Sequence, residues 1–203
     1  MAMICPQCGT SRPTAGSSAL DLCPACLLAA ALSTVGAPCP YQIVGPIAES
    51  ARGTTYLAQP SGRARGCVAL KIFAPRDDVD DILARYERWK PALAKVRHSH
   101  VARMLDAGLT DEGLLYVASP FVAGWPLSSI DGRQAIGQDV RNEIARQLAA
   151  AVAAIHDAGL AHLALDSSHV RVSTTSGVHA SLLGLGIRLI IDGDEPSPQA
   201  DQD

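Results

Sequence analysis

The chain has 203 residues, 48% hydrophobic and 18% charged, which allows one medium domain plus a small appendage and excludes wholesale disorder. Its net charge is only -3 and no Lys/Arg cluster is sustained, so the electrostatic footprint expected of a nucleic-acid or anionic-membrane binder is missing, and neither partner is expected. No apolar run approaches the roughly 18–20 residues that span a bilayer, because Arg188 breaks the stretch 182–191.

The first residues carry no basic region followed by an apolar core, since Cys5, Gln7 and Cys8 interrupt at once. They do not read as a signal peptide, and a reducing cytoplasm is the expected location. Cys5-Pro-Gln-Cys8-Gly9 and Cys23-Pro-Ala-Cys26 form two C-x2-C turns separated by 14 residues, slightly short of the usual zinc-ribbon spacing. A C-P-x-C-G turn lets two sulfurs converge, and four thiolates close a tetrahedral Zn2+ shell. Such a site leaves no position for water or substrate, so the expected zinc is structural, with Cys5, Cys8, Cys23 and Cys26 as ligands. Two disulfides or four free thiols are the alternatives; a reducing compartment disfavours the first, and the paired turns disfavour the second. Cys39 and Cys67 read as ordinary small apolar residues.

Residues 27–32 read as a short helical turn that completes a zinc-knuckle unit over 1–35, and Gly36 to Pro40 is the expected linker. From Tyr41 to Phe73, β-branched and aromatic residues broken by turn signals at 49–53 and 60–66 predict three antiparallel strands. The stretch 77–97 carries Ile82, Leu83, Tyr86, Leu93 and Val96 near helical spacing and predicts one helix, with Pro91 as a defect. Two short strands are expected around 101–107 and 114–119. An Ala-rich helix follows over 138–157 and stops at Gly159. Two further strands are expected near 170–172 and 178–183, then a disordered acidic tail over 192–203.

Over about 41–191, Cys67-Val68-Ala69-Leu70-Lys71, His98-Ser99-His100-Val101, residues 116–124 and Ile155 to His162 follow one another in an order that resembles the landmarks of bacterial Ser/Thr protein kinases. Cys67-Val68-Ala69-Leu70-Lys71 resembles the V-A-I-K strand, and His98-Ser99-His100-Val101 resembles the H-P-N-I after the N-lobe helix. Residues 116–124 resemble the hinge, and Ile155 to His162 leads into a catalytic-loop-like segment. The cysteine-rich start also looks like the knuckle ahead of some bacterial kinases. The resemblance implies an α+β, protein-kinase-like fold: a β-rich N-lobe with one helix over 41–118, a hinge over 119–124, and a truncated helical C-lobe over 125–191.

The resemblance also marks what has been lost. Of the glycine-rich loop, aligned as 48–53, only Gly53 remains, and Glu49 brings an unfavourable charge to the phosphate region. Lys71 is present, but its Glu partner falls at Trp89; Glu87, two positions away, lies roughly 200° around a helix. Lys71 against the Trp89 ring, or Trp89 as plain core filler, are the readings of that position. The catalytic Asp falls at Ala164, the metal-binding Asn at His169, and the D-F-G Asp at Gly184. Asp192 lies eight residues too far on to stand in.

Asp166, two residues beyond Ala164, is the one candidate rescue base, with a solvated turn residue as its plainer role. His162 is expected to pack structurally, and His156 to meet the terminal carbonyls of its helix. For adenine, the resemblance implies Ala69, the Pro120 carbonyl and the Val122 N–H, with Ser119 as a small gatekeeper. The nucleotide-contact candidates are therefore Gly53, Ala69, Lys71 and Val122, for ATP bound weakly if at all.

The expected function is that of a pseudokinase acting as a regulatory or binding module. The alternatives are a noncanonical ATP-dependent Ser/Thr kinase using Lys71 and Asp166, and a remnant without a task. Ile144, Leu148, Val152 and Ile155 form an apolar stripe on an Ala-rich helix, so self-association or a protein partner is expected there.

Overall fold

Alternating large and small or polar residues between Tyr41 and Phe73 suit strands with one buried face, and three strands form there. The structure is a computed structural model, described here for residues 3–4, 11–12, 40–61, 66–129, 137–175, 177–196 and 201. It divides into two units, Met1–Arg76 with Gly108–Phe121, and Asp77–Ala107 with Val122–Asp203.

In the first unit, β1 (Met3–Ile4) and β2 (Ser11–Arg12) pair antiparallel. All four predicted zinc ligands, the expected helical turn at 27–32 and most of the 36–40 linker lie outside the described residues. The main sheet uses β3 (Tyr41–Ser50), β4 (Gly53–Pro60), β5 (Val68–Phe73), β6 (Asp106–Leu109) and β7 (Leu115–Pro120), in the order β3-β4-β5-β7-β6.

One face of this sheet is the core. Val68, Leu70 and Ile72 point there at period two, meeting Ala58, Tyr116, Ala118 and Tyr41. Tyr41 and Tyr116 meet edge to face, with centroids 5.8 Å apart. Each large side chain in such a core is worth roughly 1.5–3 kcal/mol, so the alternation fixes the register.

In the second unit, α1 (Val79–Lys95) runs through Pro91 without stopping. Pro91 is exposed, and Leu93 and Val96 just after it are buried, so burial of the last turn offsets the lost backbone hydrogen bond. Within the second unit, Arg85 on this helix donates to the Ile190 and Ile191 carbonyls at 2.7 and 3.3 Å. Those carbonyls end α3 (Ile187–Ile191), a short helix in an apolar stretch for which no element was expected.

α2 (Gln138–Asp157) buries Ile144, Gln147, Ala151 and Ile155 and ends with Gly159 at φ +73. A small antiparallel sheet has the order β10-β9-β8, from β8 (Trp125–Pro126), β9 (Val170–Ser173) and β10 (His179–Leu182). The buried Gln147 amide acts as a surrogate strand beside β10, donating to the Val178 carbonyl at 2.8 Å and accepting from Ala180 N–H at 2.7 Å. Around Val101 the expected strand is a single bridge to Leu182; the regular pairing begins only at Asp106.

Candidate functional site

On the first unit, the other face of the sheet carries three of the four nucleotide-contact candidates, Gly53, Ala69 and Lys71; Val122 falls in the second unit. Ala69 lies opposite Leu57 on β4 and Ser119 on β7, and Lys71 lies opposite Thr55 and Val117. Phe73 comes next on that face, opposite Gly53. Gly53 has φ +134, and a Cβ there would sit 2.1 Å from the Ile72 carbonyl oxygen, so the turn lies flush on β5 and only glycine fits. Its retention is thus explained by strand packing alone, whatever passes above it.

The Lys71 ammonium sits 5.2 Å from the centre of the Phe73 ring. Burial and the nearby Arg52 guanidinium both push its pKa below the usual lysine value. Trp89 is half-buried and takes Arg88 over its ring at 5.1 Å, while Glu87 pairs with Lys90 at 2.9 Å.

On the second unit, the catalytic-loop-like segment is tied down at every turn. His162 is 1% exposed and its Nε2 donates to the Leu183 carbonyl at 2.8 Å, which leaves Nδ1 without a partner. Burial lowers its pKa, so it stays neutral and structural, as its sequence context suggests. Leu163 takes φ +67, a conformation that costs roughly 1–2 kcal/mol for a residue with a side chain.

A single carboxylate holds this bend: Asp201 accepts from His162 N–H at 2.7 Å and Leu163 N–H at 2.8 Å, and meets His156 Nε2 at 3.0 Å. Its side chain is 1% exposed. Burial raises the Asp201 pKa, but the His162 and Leu163 donors and His156 outweigh it and hold the carboxyl below its usual value. His156 therefore serves Asp201 and not the helix-end carbonyls assigned to it from sequence. Within the stretch read as a disordered tail, Asp194 likewise accepts from Arg188 at 2.9 Å.

Asp166 caps a 3-10 turn (Ser167–His169), accepting from Ser168 N–H at 2.7 Å, Ser168 Oγ at 2.5 Å and His169 Nδ1 at 2.8 Å. Partial burial raises its pKa, yet the Ser168 and His169 donors prevail and take it down to about 2. A carboxylate held so low is a poor proton acceptor at neutral pH.

Ala164 offers no functional group. His169 has Nδ1 committed to Asp166, and a Cβ on Gly184, which has φ +84, would lie 3.0 Å from His169 Cδ2. The two metal-ligand positions thus hold no carboxylate, and Gly184 has no room for one unless His169 moves. Among the described residues, no group of three or more His, Cys, Asp or Glu could hold a metal ion. The Mg2+ that phosphoryl transfer needs does not fit these residues.

The chain has a protein-kinase-like, mixed α+β fold with a β-rich N-lobe and few helices. No family model matches the chain. The kinase domain of PknI from Mycobacterium tuberculosis superposes with a TM-score of 0.65 at 26% identity, covering 82% of this chain and 69% of that one. A probable Ser/Thr protein kinase, PknB of Lactococcus lactis, is 26% identical over 147 residues, 71% of this chain and 23% of the relative. The Ser/Thr protein kinase pkn2 of Myxococcus xanthus is 29% identical over 161 residues, 77% of this chain and 19% of the relative. The chain is therefore homologous to Ser/Thr protein kinases and spans about a fifth of the length of these two relatives. No described helix is long and apolar enough to cross a membrane.

Proposed function

We propose that the chain is a pseudokinase, a kinase-like module that binds and regulates without transferring phosphate. The observation that carries this reading is the joint state of Ala164, His169 and Gly184, which lack a base and both metal ligands. Phosphoryl transfer depends on positioning and charge neutralisation, so their loss removes most of the catalytic machinery at once. The kinase alternative through Lys71 and Asp166 is disfavoured by the four donors that Asp166 already accepts, including His169 N–H at 3.3 Å.

In this reading the protein acts in the cytoplasm, with a structural zinc on Cys5, Cys8, Cys23 and Cys26 and a protein partner or second copy on α2. The test is incubation of the purified chain with radiolabelled ATP and Mg2+, with and without a general kinase substrate. No label above background is expected. Labelling of the chain that a Lys71→Met substitution abolishes would overturn the proposal.

A further inference from the structure

The Asp201 carboxylate sits in a receptor built from distant parts of the second unit. Leu163 N–H donates to Oδ1 at 2.8 Å, His162 N–H donates to Oδ2 at 2.7 Å, and His156 Nε2 meets the same Oδ2 at 3.0 Å. Two successive backbone donors, with Leu163 at φ +67, form a concave nest of the kind that binds anions. A separate backbone donor for each oxygen matches a planar carboxylate, as a fork does.

The two sides of this contact are held very differently. The donors belong to the core: Leu160, Ala161 and His162 are buried in sequence, and His156 follows the buried Ile155 on α2. The nest therefore keeps its place whatever fills it, and an empty one leaves two N–H groups without an acceptor, which burial makes costly. The occupant is less firmly rooted. None of residues 192–196 is buried, and Asp194 is tied through an exposed ion pair with Arg188. Asp201 is only half-buried as a residue, although its side chain is 1% exposed, so the carboxylate enters the nest from the surface. A segment with so little apolar burial detaches locally without unfolding the rest.

We infer that the nest of His162 and Leu163, with His156, is a docking site for an acidic peptide that presents an aspartate from another molecule, and that Asp201 is its intramolecular competitor. The occupant already in place defines the ligand: a planar carboxylate one methylene from its backbone, at the depth that Asp201 reaches. A tetrahedral phosphate carries a further oxygen for which the nest holds no donor, so the site selects carboxylate. Because Asp201 competes within the chain, the site opens only as far as that residue withdraws, and the apparent affinity falls by the closed fraction. The inference rests on the reading of the chain as a binding module and gives that module a ligand class and a self-regulating contact.

The test is calorimetric titration of the full chain and of its Asp201→Gly variant, which lacks the atoms that acetate can return. The ligands are acetate, acetamide, inorganic phosphate and a free peptide with the sequence of residues 192–203. The variant should bind acetate and the peptide saturably, with NMR shifts at the His162 and Leu163 amides, and should ignore acetamide. The same peptide carrying Asp201→Asn should bind about tenfold more weakly, and wild-type chain, its nest filled, should bind the unaltered peptide at least about tenfold more weakly than the variant does. Phosphate or acetamide bound as tightly as acetate, a peptide affinity indifferent to its aspartate, equal affinity for wild type and variant, or amides that do not shift would each overturn the inference. Where circular dichroism shows Asp201→Gly unfolded, refolding on addition of acetate but not acetamide becomes the expected result, and no refolding overturns the inference. Phosphate transfer from ATP, measured in parallel on the wild-type chain, reports on the pseudokinase reading separately.

Discussion

Replacing Asp201 with Ala removes the acceptor for two backbone donors and the partner of His156, at a site where the side chain is 1% exposed. Each N–H left unsatisfied in a buried setting costs roughly 1–3 kcal/mol. Partial rescue by water brings the expected loss to about 3 kcal/mol, or about 6–12 °C in melting temperature for a chain of this size. Asp201→Asn keeps an acceptor oxygen and should cost about half as much. Asp194→Ala, which breaks only the exposed pair with Arg188, should cost no more than ~1 kcal/mol.

The pH dependence has a definite sign. The folded-state pKa of Asp201 is depressed, so its contribution is fully present above the ordinary unfolded carboxylate value, about 4, and disappears as pH falls through the folded value. The wild-type chain should therefore lose its advantage over Asp201→Asn on acidification, not at alkaline pH. Urea denaturation and amide exchange at His162 and Leu163 are the assays. An Asp201→Ala protein with an unchanged midpoint and unchanged protection at both amides would refute the argument.

The purified chain should carry one zinc per molecule by elemental analysis. A value near zero after purification without chelator, or full zinc retention by a Cys23→Ala/Cys26→Ala variant, would count against the four-thiolate site. On α2, Leu148 and Val152 are half-exposed while Ile144 and Ile155 are core, so Leu148→Glu and Val152→Glu should disperse self-association or loosen a partner while largely sparing the fold. Light scattering reads the outcome: a chain monomeric at every concentration, with no bound partner and indifferent to both charges, removes that face as an interface.

The order of elements was legible from sequence because strands and helices announce themselves through local periodicity. The predicted strands from Tyr41 to Phe73 and the helix over 138–157 are present. Trp125–Pro126 is too short for any period to register, and α3 hides in a run whose uniform apolarity has none. The substitutions on which the pseudokinase reading rests were also legible, since Ala164, His169 and Gly184 stand where the resemblance implies Asp, Asn and Asp.

Distant contacts were decided only by the fold. Asp201 looks like one more charge in an acidic tail, yet it meets donors 38–45 residues away. Arg52 reads as a turn residue until strand pairing sets its turn against the end of β5, and Ile144 and Ile155 read as interface until the chain covers them. In each case the deciding quantity is burial or charge proximity created by residues far along the chain. Sequence alone thus determined the fold class and which residues stand at the expected catalytic positions, and tertiary structure decided which charges are buried and what they meet.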